Sequence, residues 1–215
     1  MSYREGVRKG NDTMTPVSQR IDPRVLRTRH LIRDAFIDLL QEIEIEKITV
    51  NRLTERATIN RVTFYLHYRD IPDMMEKMAD DMANIIQDIL KEEVPAPPIP
   101  DVSRIIRMLE HFAENSKFYK VLLASKRIPI FSERFLKIML DDIADKIEKR
   151  RTSAVVSVTG VPKDIVLWYS SSAYIGTIIS WLRNDMPYTP SFLAKQLLLL
   201  APFATTGEQH VDGDS

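Results

Sequence analysis

Between Leu31 and Leu200 the apolar residues of this chain recur every three or four positions, a spacing that admits helices and little else. Leu31, Ala35, Leu39 and Ile43 line one face of a predicted helix from about Pro23 or Arg24 to Ile43, with Ile32 and Phe36 beside them. Met74, Met78, Met82, Ile85 and Ile89 line another, predicted from near Pro72, where proline suits a first turn, to about Glu93. Its methionines are flexible and polarisable and can repack around different neighbours. Ile105, Ile106, Leu109, Phe112 and Ala113 predict a helix over about 101–115, followed by one over about 117–126. Phe135, Ile138, Met139 and Ile143 predict another from near Ser132 to Lys149. Further helices are expected over 164–184 and from Thr189-Pro190 to just before Pro202. The run from Val94 to Pro100 reads as a non-helical, semi-rigid spacer, because each proline lacks an N–H and stiffens its neighbour. Residues 150–163 read as a connector. With no convincing strand and no internal repeat, the fold class is all-α.

Residues 49–69, TVNRLTERATINRVTFYLHYR, cut the helical period into two short pieces. Val50, Leu53 and Ala57 fall at i, i+3 and i+7, with Thr49 as N-cap and Arg52 and Arg56 turned outward. Ala57-Thr58-Ile59 breaks the period, and Asn60 caps a second helix predicted to reach about Tyr68. Phe64 and Tyr68 point one way on it; Arg61, Thr63 and His67 point the other. A short helix with an aromatic back and a basic, hydrogen-bonding front suits a DNA major groove. Charge agrees with this. From Arg52 to Arg69 four Arg stand against one acid, Glu55, and residues 1–33 hold eight basic residues against three acidic ones. Phosphate contacts supply most non-specific DNA affinity, so a basic arm over 1–22 beside a basic helix pair has a mechanical use.

The run TINRVTFYLHYRDIPDMM, with the preceding helix from Val25 to Ile43, resembles the N-terminal DNA-binding domain of TetR-type transcriptional regulators. Thr63, Tyr65, His67 and Tyr68 carry its most distinctive part. The later segments FYKVLLASKR and WYSSSAYIGTIISWLRNDMPYTPSFLAKQL resemble the regulatory domain of a Firmicutes-type branch of that family. The resemblance covers roughly residues 24–203. It implies a helix-turn-helix domain over 23–70 and a helical regulatory and dimerisation domain over 71–204, with a polar tail over 205–215.

By that resemblance Asn51, Arg61, Val62 and Thr63 face base edges. Arg61 is the expected reader, since a guanidinium grips guanine O6 and N7 together, worth about 1–3 kcal/mol of discrimination. Val62 offers a methyl surface to thymine. Thr49, Tyr65 and His67 match phosphate-holding positions, and Arg24, Arg27 and Arg29 add phosphate or minor-groove contacts. Two positions depart from the family. Thr58 stands where the turn usually carries Gly; a β-branched residue is strained at positive φ, so the turn is expected to be reshaped or not left-handed. No Lys stands near Ile71, which leaves backbone N–H groups at the start of the helix predicted from near Pro72 to take its place.

The resemblance also implies a homodimer reading a palindromic operator in double-stranded DNA. Ser171, Ser172, Gly176 and Ser180 permit close helix approach, and Leu193, Leu197 and Leu200 supply an apolar seam for a four-helix bundle. A ligand pocket in the family is enclosed by helices that here carry Phe112, Phe118, Tyr119, Phe131, Phe135, Met139, Trp168 and Tyr174, which are equally consistent with packed core. His111 offers a partner to an anionic or phenolic ligand. In the family's usual mechanism an effector shifts the helix that follows the DNA-binding domain, here the one predicted from near Pro72, and opposes DNA through one equilibrium, with coupling of roughly 1–3 kcal/mol. The effector is an unknown small molecule or, as for some relatives in this branch, a partner protein such as a dihydroxyacetone kinase subunit.

Composition narrows the alternatives. There is no Cys, so neither a disulfide framework nor a thiolate metal site is available. The four His show no HExxH spacing and the six Gly form no phosphate loop, so no catalytic, metal or cofactor role is expected. The basic N-terminus is not followed by an apolar stretch, which argues against a secretory signal and for the cytoplasm. Ile165 to Leu182 is long enough to span a bilayer and carries no charge, but its serines, Thr177 and Gly176 favour burial in protein, with no membrane partner.

Overall fold

A computed structural model of the chain describes residues 22–92, 100–123, 128–152 and 161–200. Its elements are α1 (Pro23–Glu42), a 3-10 turn (Ile45–Lys47), α2 (Val50–Arg56), α3 (Arg61–Tyr65), α4 (Ile71–Lys91), α5 (Pro100–Glu114), α6 (Ser116–Leu122), α7 (Pro129–Thr152), α8 (Lys163–Arg183) and α9 (Pro190–Leu200). No strand occurs among the described residues, so the fold is all-α.

Local chemistry sets most of the helix starts. The Asp22 carboxylate accepts the Arg24 N–H at 2.8 Å, and Pro23 follows as a first-turn residue needing no donor. Thr49 Oγ1 accepts the Arg52 N–H at 3.3 Å, and Asn60 Oδ1 accepts the Val62 N–H at 2.9 Å. Both caps were legible from residue type. Pro100 likewise opens α5, correcting the expectation that it closes a non-helical spacer; residues 94–99 of that spacer lie outside the described residues. α7 begins at Pro129, not near Ser132, and its last turn takes in the first residues of the expected connector.

Ala35 and Leu39 on α1 and Met74, Met78 and Met82 on α4 are buried as expected, but each expected stripe has one exposed member. On α1 Leu31 is exposed while Ile32 and Phe36 are fully buried, and on α4 Ile85 is exposed while Ile86 is fully buried. Met74, Met78, Met82, Ile86 and Leu90 keep a strict four-residue step along α4. This face packs on α5 and α7; α5 packs in turn on α6 and α9, and α7 on α8. α1 packs on α2 and on α6, so the N-terminal helices are held by α6 as well as by α4, which continues their chain.

The turn between α2 and α3 is left-handed at Thr58, with φ 55°, against expectation. The Ile59 N–H donates to Thr54 O at 3.0 Å and the Thr58 N–H to Glu55 O at 3.1 Å. These two bonds satisfy the last carbonyls of α2 in the manner that usually recruits glycine at this position. A β-branched side chain sits there instead, at a cost of about 1–2 kcal/mol. Replacing Thr58 with Gly should therefore stabilise the protein by about 1 kcal/mol, read as a higher midpoint with an unchanged slope in urea unfolding.

Candidate nucleic-acid interface

α3 is one helical turn and a half, too short to hold its shape by propensity, so packing must hold it. Phe64 is fully buried and Tyr68, just past the helix, is nearly so; their rings lie 5.6 Å apart. Leu53 of α2 and Phe36 of α1 are fully buried in the same core. With the aromatic back sunk, the opposite face is forced outward. Val62 is 66% exposed and Tyr65 50%, Asn51 and Arg61 are exposed, and Thr63 is half-buried. All four expected base-facing residues, Asn51, Arg61, Val62 and Thr63, keep at least part of their surface in solvent.

α3 stops at Tyr65, shorter than expected, and Leu66 caps it. Arg61 lies along Tyr65: its Nη2 donates to the phenol oxygen at 3.4 Å and its guanidinium carbon stands 6.0 Å from the ring centre. This contact orders a side chain that would otherwise sample many rotamers before meeting a base. His67 is half-buried, and burial, followed by the charges of Arg29 and Lys77, lowers its imidazole from the ordinary range. The ring is thus a neutral N–H donor near pH 7.

The basic count shrinks when partners are assigned. Arg56, expected to point outward, forms a two-point pair with Glu42 at 2.8 and 2.6 Å, which lowers the Glu42 carboxyl. Arg29 turns back toward Asp81 at 4.0 Å and is 35% exposed. Arg24 and Arg27 remain exposed, as does Thr49. Residues 1–21 of the expected basic arm lie outside the described residues.

At the start of α4 one of the expected N–H groups is already occupied by a carboxylate. Asp70 accepts the Asp73 N–H at 2.8 Å, and Pro72 has no N–H to offer. Asp73, itself buried, accepts the Arg69 N–H at 2.9 Å, Arg69 Nε at 3.1 Å and Lys77 Nζ at 3.0 Å. Lys77 Nζ also donates to His67 O at 3.1 Å. This clamp ties the segment after α3 to α4. Sequence reading missed it, although Arg69, Asp73 and Lys77 at four-residue steps are its signal.

The expected pocket residues separate into two sets. Phe112, Tyr119, Phe135 and Met139 are buried, Phe112 and Tyr119 with ring centres 4.4 Å apart, and Phe118 packs edge-on against Tyr119 at 5.1 Å. Phe131 is fully buried with them and Tyr174 is half-buried. Trp168 does not join them: it is 61% exposed on the outside of α8. His111 meets a phenol, but the protein's own, with Nε2 2.7 Å from the Tyr119 hydroxyl. Burial lowers His111 and raises Tyr119, so both are neutral near pH 7.

The expected dimer residues divide as well. Ser172, Gly176 and Ser180 are exposed, Ser171 is buried with its hydroxyl donating to Leu167 O at 2.7 Å, and Leu200 is exposed. Leu193 and Leu197 are buried in the single chain because α9 turns them toward α5, so they belong to the core and not to a seam. Ile165, Tyr169, Tyr188, Phe192 and Leu199, which sequence reading passed over, are exposed instead. By length and composition α8 could cross a membrane, yet a third of its apolar window is buried in protein. It is thus not apolar and buried all round, as expected, but open along one face.

Residues 103–202 match the family model described as transcriptional regulator C-terminal region. An uncharacterized HTH-type transcriptional regulator of Bacillus subtilis, YxbF, is 38% identical over 183 residues, which cover 84% of this chain and 46% of that protein. The chain therefore spans about half the length of the curated relative it matches. A TetR transcriptional regulator from Streptococcus agalactiae superposes with a TM-score of 0.64 at 26% identity, covering 84% of this chain and 96% of that one. In sequence and fold the chain resembles the TetR-type transcriptional regulators. A dihydroxyacetone kinase operon activator, DhaS, shares the fold, with a TM-score of 0.56 at 18% identity over 81% of this chain and 93% of that one.

The clamp carries a pH signature. Asp73 is held down to about 2, first by the Arg69 backbone N–H and then by Lys77. Since its folded value lies below the ordinary carboxylate value of about 4, its contribution to stability is complete above that value and lost as pH falls toward 2. Asp73→Asn should flatten the acid limb of melting temperature against pH between about 4 and 2, leaving the neutral-pH slope unchanged.

Proposed function

We propose that the chain is a DNA-binding repressor that holds a palindromic operator as a homodimer and lets go when an effector binds its C-terminal helices. The division of labour runs near residue 70, with 23–70 reading DNA and 71–204 sensing and dimerising, in the cytoplasm. The observation that carries the reading is the α3 surface: Arg61 laid along Tyr65, beside exposed Val62, on a turn of helix anchored by buried Phe64. Arg61 then reads a guanine, Asn51, Val62 and Thr63 contact neighbouring base edges, and Thr49, Tyr65, His67, Arg24 and Arg27 fix the register on phosphates.

Two-fold assembly is supported by the outer faces of α8 and α9. Ile165, Trp168, Tyr169, Ser172, Gly176 and Ser180 follow one another along one exposed stripe of α8, and Phe192, Leu199 and Leu200 are exposed on α9. A large apolar surface rimmed by small residues is what a four-helix interface between two copies requires. A side chain added at Gly176 would meet nothing within 4 Å in the single chain. Gly176→Trp should accordingly keep the melting profile of a folded monomer while shifting the sedimenting species from dimer to monomer; a dimer unchanged by that bulk removes α8 from the interface.

Selection of bound sequences from a random DNA pool tests the reading as a whole. The expected product is a palindrome whose half-site centres lie one helical turn, or a multiple of it, apart. Against that operator Arg61→Ala should lose about 1–3 kcal/mol, confined to one base pair of each half-site. Tyr65→Phe should weaken both operator and random duplex, with a further loss on operator because the hydrogen bond that orders Arg61 goes with it. Equal losses on both duplexes for Arg61→Ala would take away its role in reading sequence.

A further inference from the structure

α5 carries two arginines whose donors the protein leaves unmatched. Arg107 Nη1 donates to Glu92, just past the end of α4, but its Nε and Nη2 are buried and meet no acceptor among the described residues. Arg104, one turn earlier on the same flank, has a buried Nε in the same condition. Buried donors on a cation are among the most costly groups to leave without a partner, and native structures seldom do so without a reason. Nε and Nη2 are also not an arbitrary pair. They form the side-on edge of the guanidinium, two parallel N–H groups that match two oxygens of a carboxylate or phosphate. Glu92 balances only one of the two positive charges.

Further along this flank, seven residues from Arg104, His111 joins Tyr119; Glu114 and Arg33 act on His111 with opposite sign, and Arg33 also adds a positive field at Tyr119. We propose that Arg104 and Arg107 bind the oxyanion head of a small ligand, a carboxylate or a phosphate, with Arg107 gripping it through its Nε/Nη2 edge. This names the chemical class of the effector and rests on the ligand-controlled reading above. An anion seated there weakens the hold of Arg107 on Glu92, which borders the C-terminal end of α4. The other end of α4 carries the Asp73 clamp on the recognition segment, so one helix joins the two events.

The test uses the full chain without DNA, at constant ionic strength set by chloride. Acetate, octanoate, inorganic phosphate and octyl phosphate are titrated against melting temperature and by calorimetry, with octanol as the neutral control. At least one oxyanion probe should raise the melting temperature where octanol and chloride do not, and its head group decides between carboxylate and phosphate. Arg107→Lys keeps the charge but loses the fork, and Arg104→Gln removes the neighbouring donor. Each should weaken that probe at least about tenfold, or about 1.4 kcal/mol. No shift with any oxyanion, or variants that bind as the parent does, would overturn the site. Because no DNA is present, failure of operator binding leaves this result standing. Conversely, a bound oxyanion that leaves operator affinity unchanged keeps the site and removes its regulatory role.

Discussion

A five-residue helix cannot stand alone in water, and α3 presents its outer face only because Phe64 is sunk beneath it. Full burial of a phenylalanine side chain stabilises by roughly 1.5–3 kcal/mol, several times what a turn of helix supplies by itself. Everything on the opposite face inherits its position from that ring. The caps at Thr49 and Asn60 and the left-handed turn at Thr58 then set the angle at which α3 leaves α2. The strain at Thr58 is tolerated because two carbonyls of α2 gain their hydrogen bonds there.

Positioning one reading head is a local problem; relating it to the rest of the molecule is not. Two routes join the halves. One is α4, tied to the recognition segment by Asp73, Arg69 and Lys77. The other is α6, where Lys117 pairs with Asp38 of α1 and Arg33 stands 5.6 Å from the centre of the Phe118 ring. Lys120 reaches Asp185 beyond α8 at 2.8 Å, although exposed pairs of this kind contribute little energy. α6 thus touches α1, α5 and α8 together, and a change felt at the His111–Tyr119 pair lies one helix from the DNA-binding half.

The helix pair around residue 60 was legible because its signals are local: an apolar period, capping side chains, and aromatic and basic residues on opposite faces. Helix ends were legible to within a few residues for the same reason. Single positions on α1 and α4 came out one residue displaced, since Leu31 and Ile32, or Ile85 and Ile86, are equally apolar and only the angle of the packed partner chooses between them. Charge misled more seriously. Counting arginines treats each as free, whereas Arg56, Arg29 and Arg69 each find an acid that is distant in sequence or one helical turn away.

Residue order by itself determined that the chain folds as helices and where the reading segment lies, because period, caps and prolines act over a single turn. Which apolar side chains close the core and which stay outside was decided only by tertiary packing. Leu193 and Trp168 were both expected to serve a partner or a ligand; the turn of α9 onto α5 buries the first, and the outer face of α8 exposes the second. The unmatched edge of Arg107 is of the same kind. No spacing rule distinguishes an arginine spent on Glu92 through one nitrogen from one spent through all three, because that depends on where two helices cross.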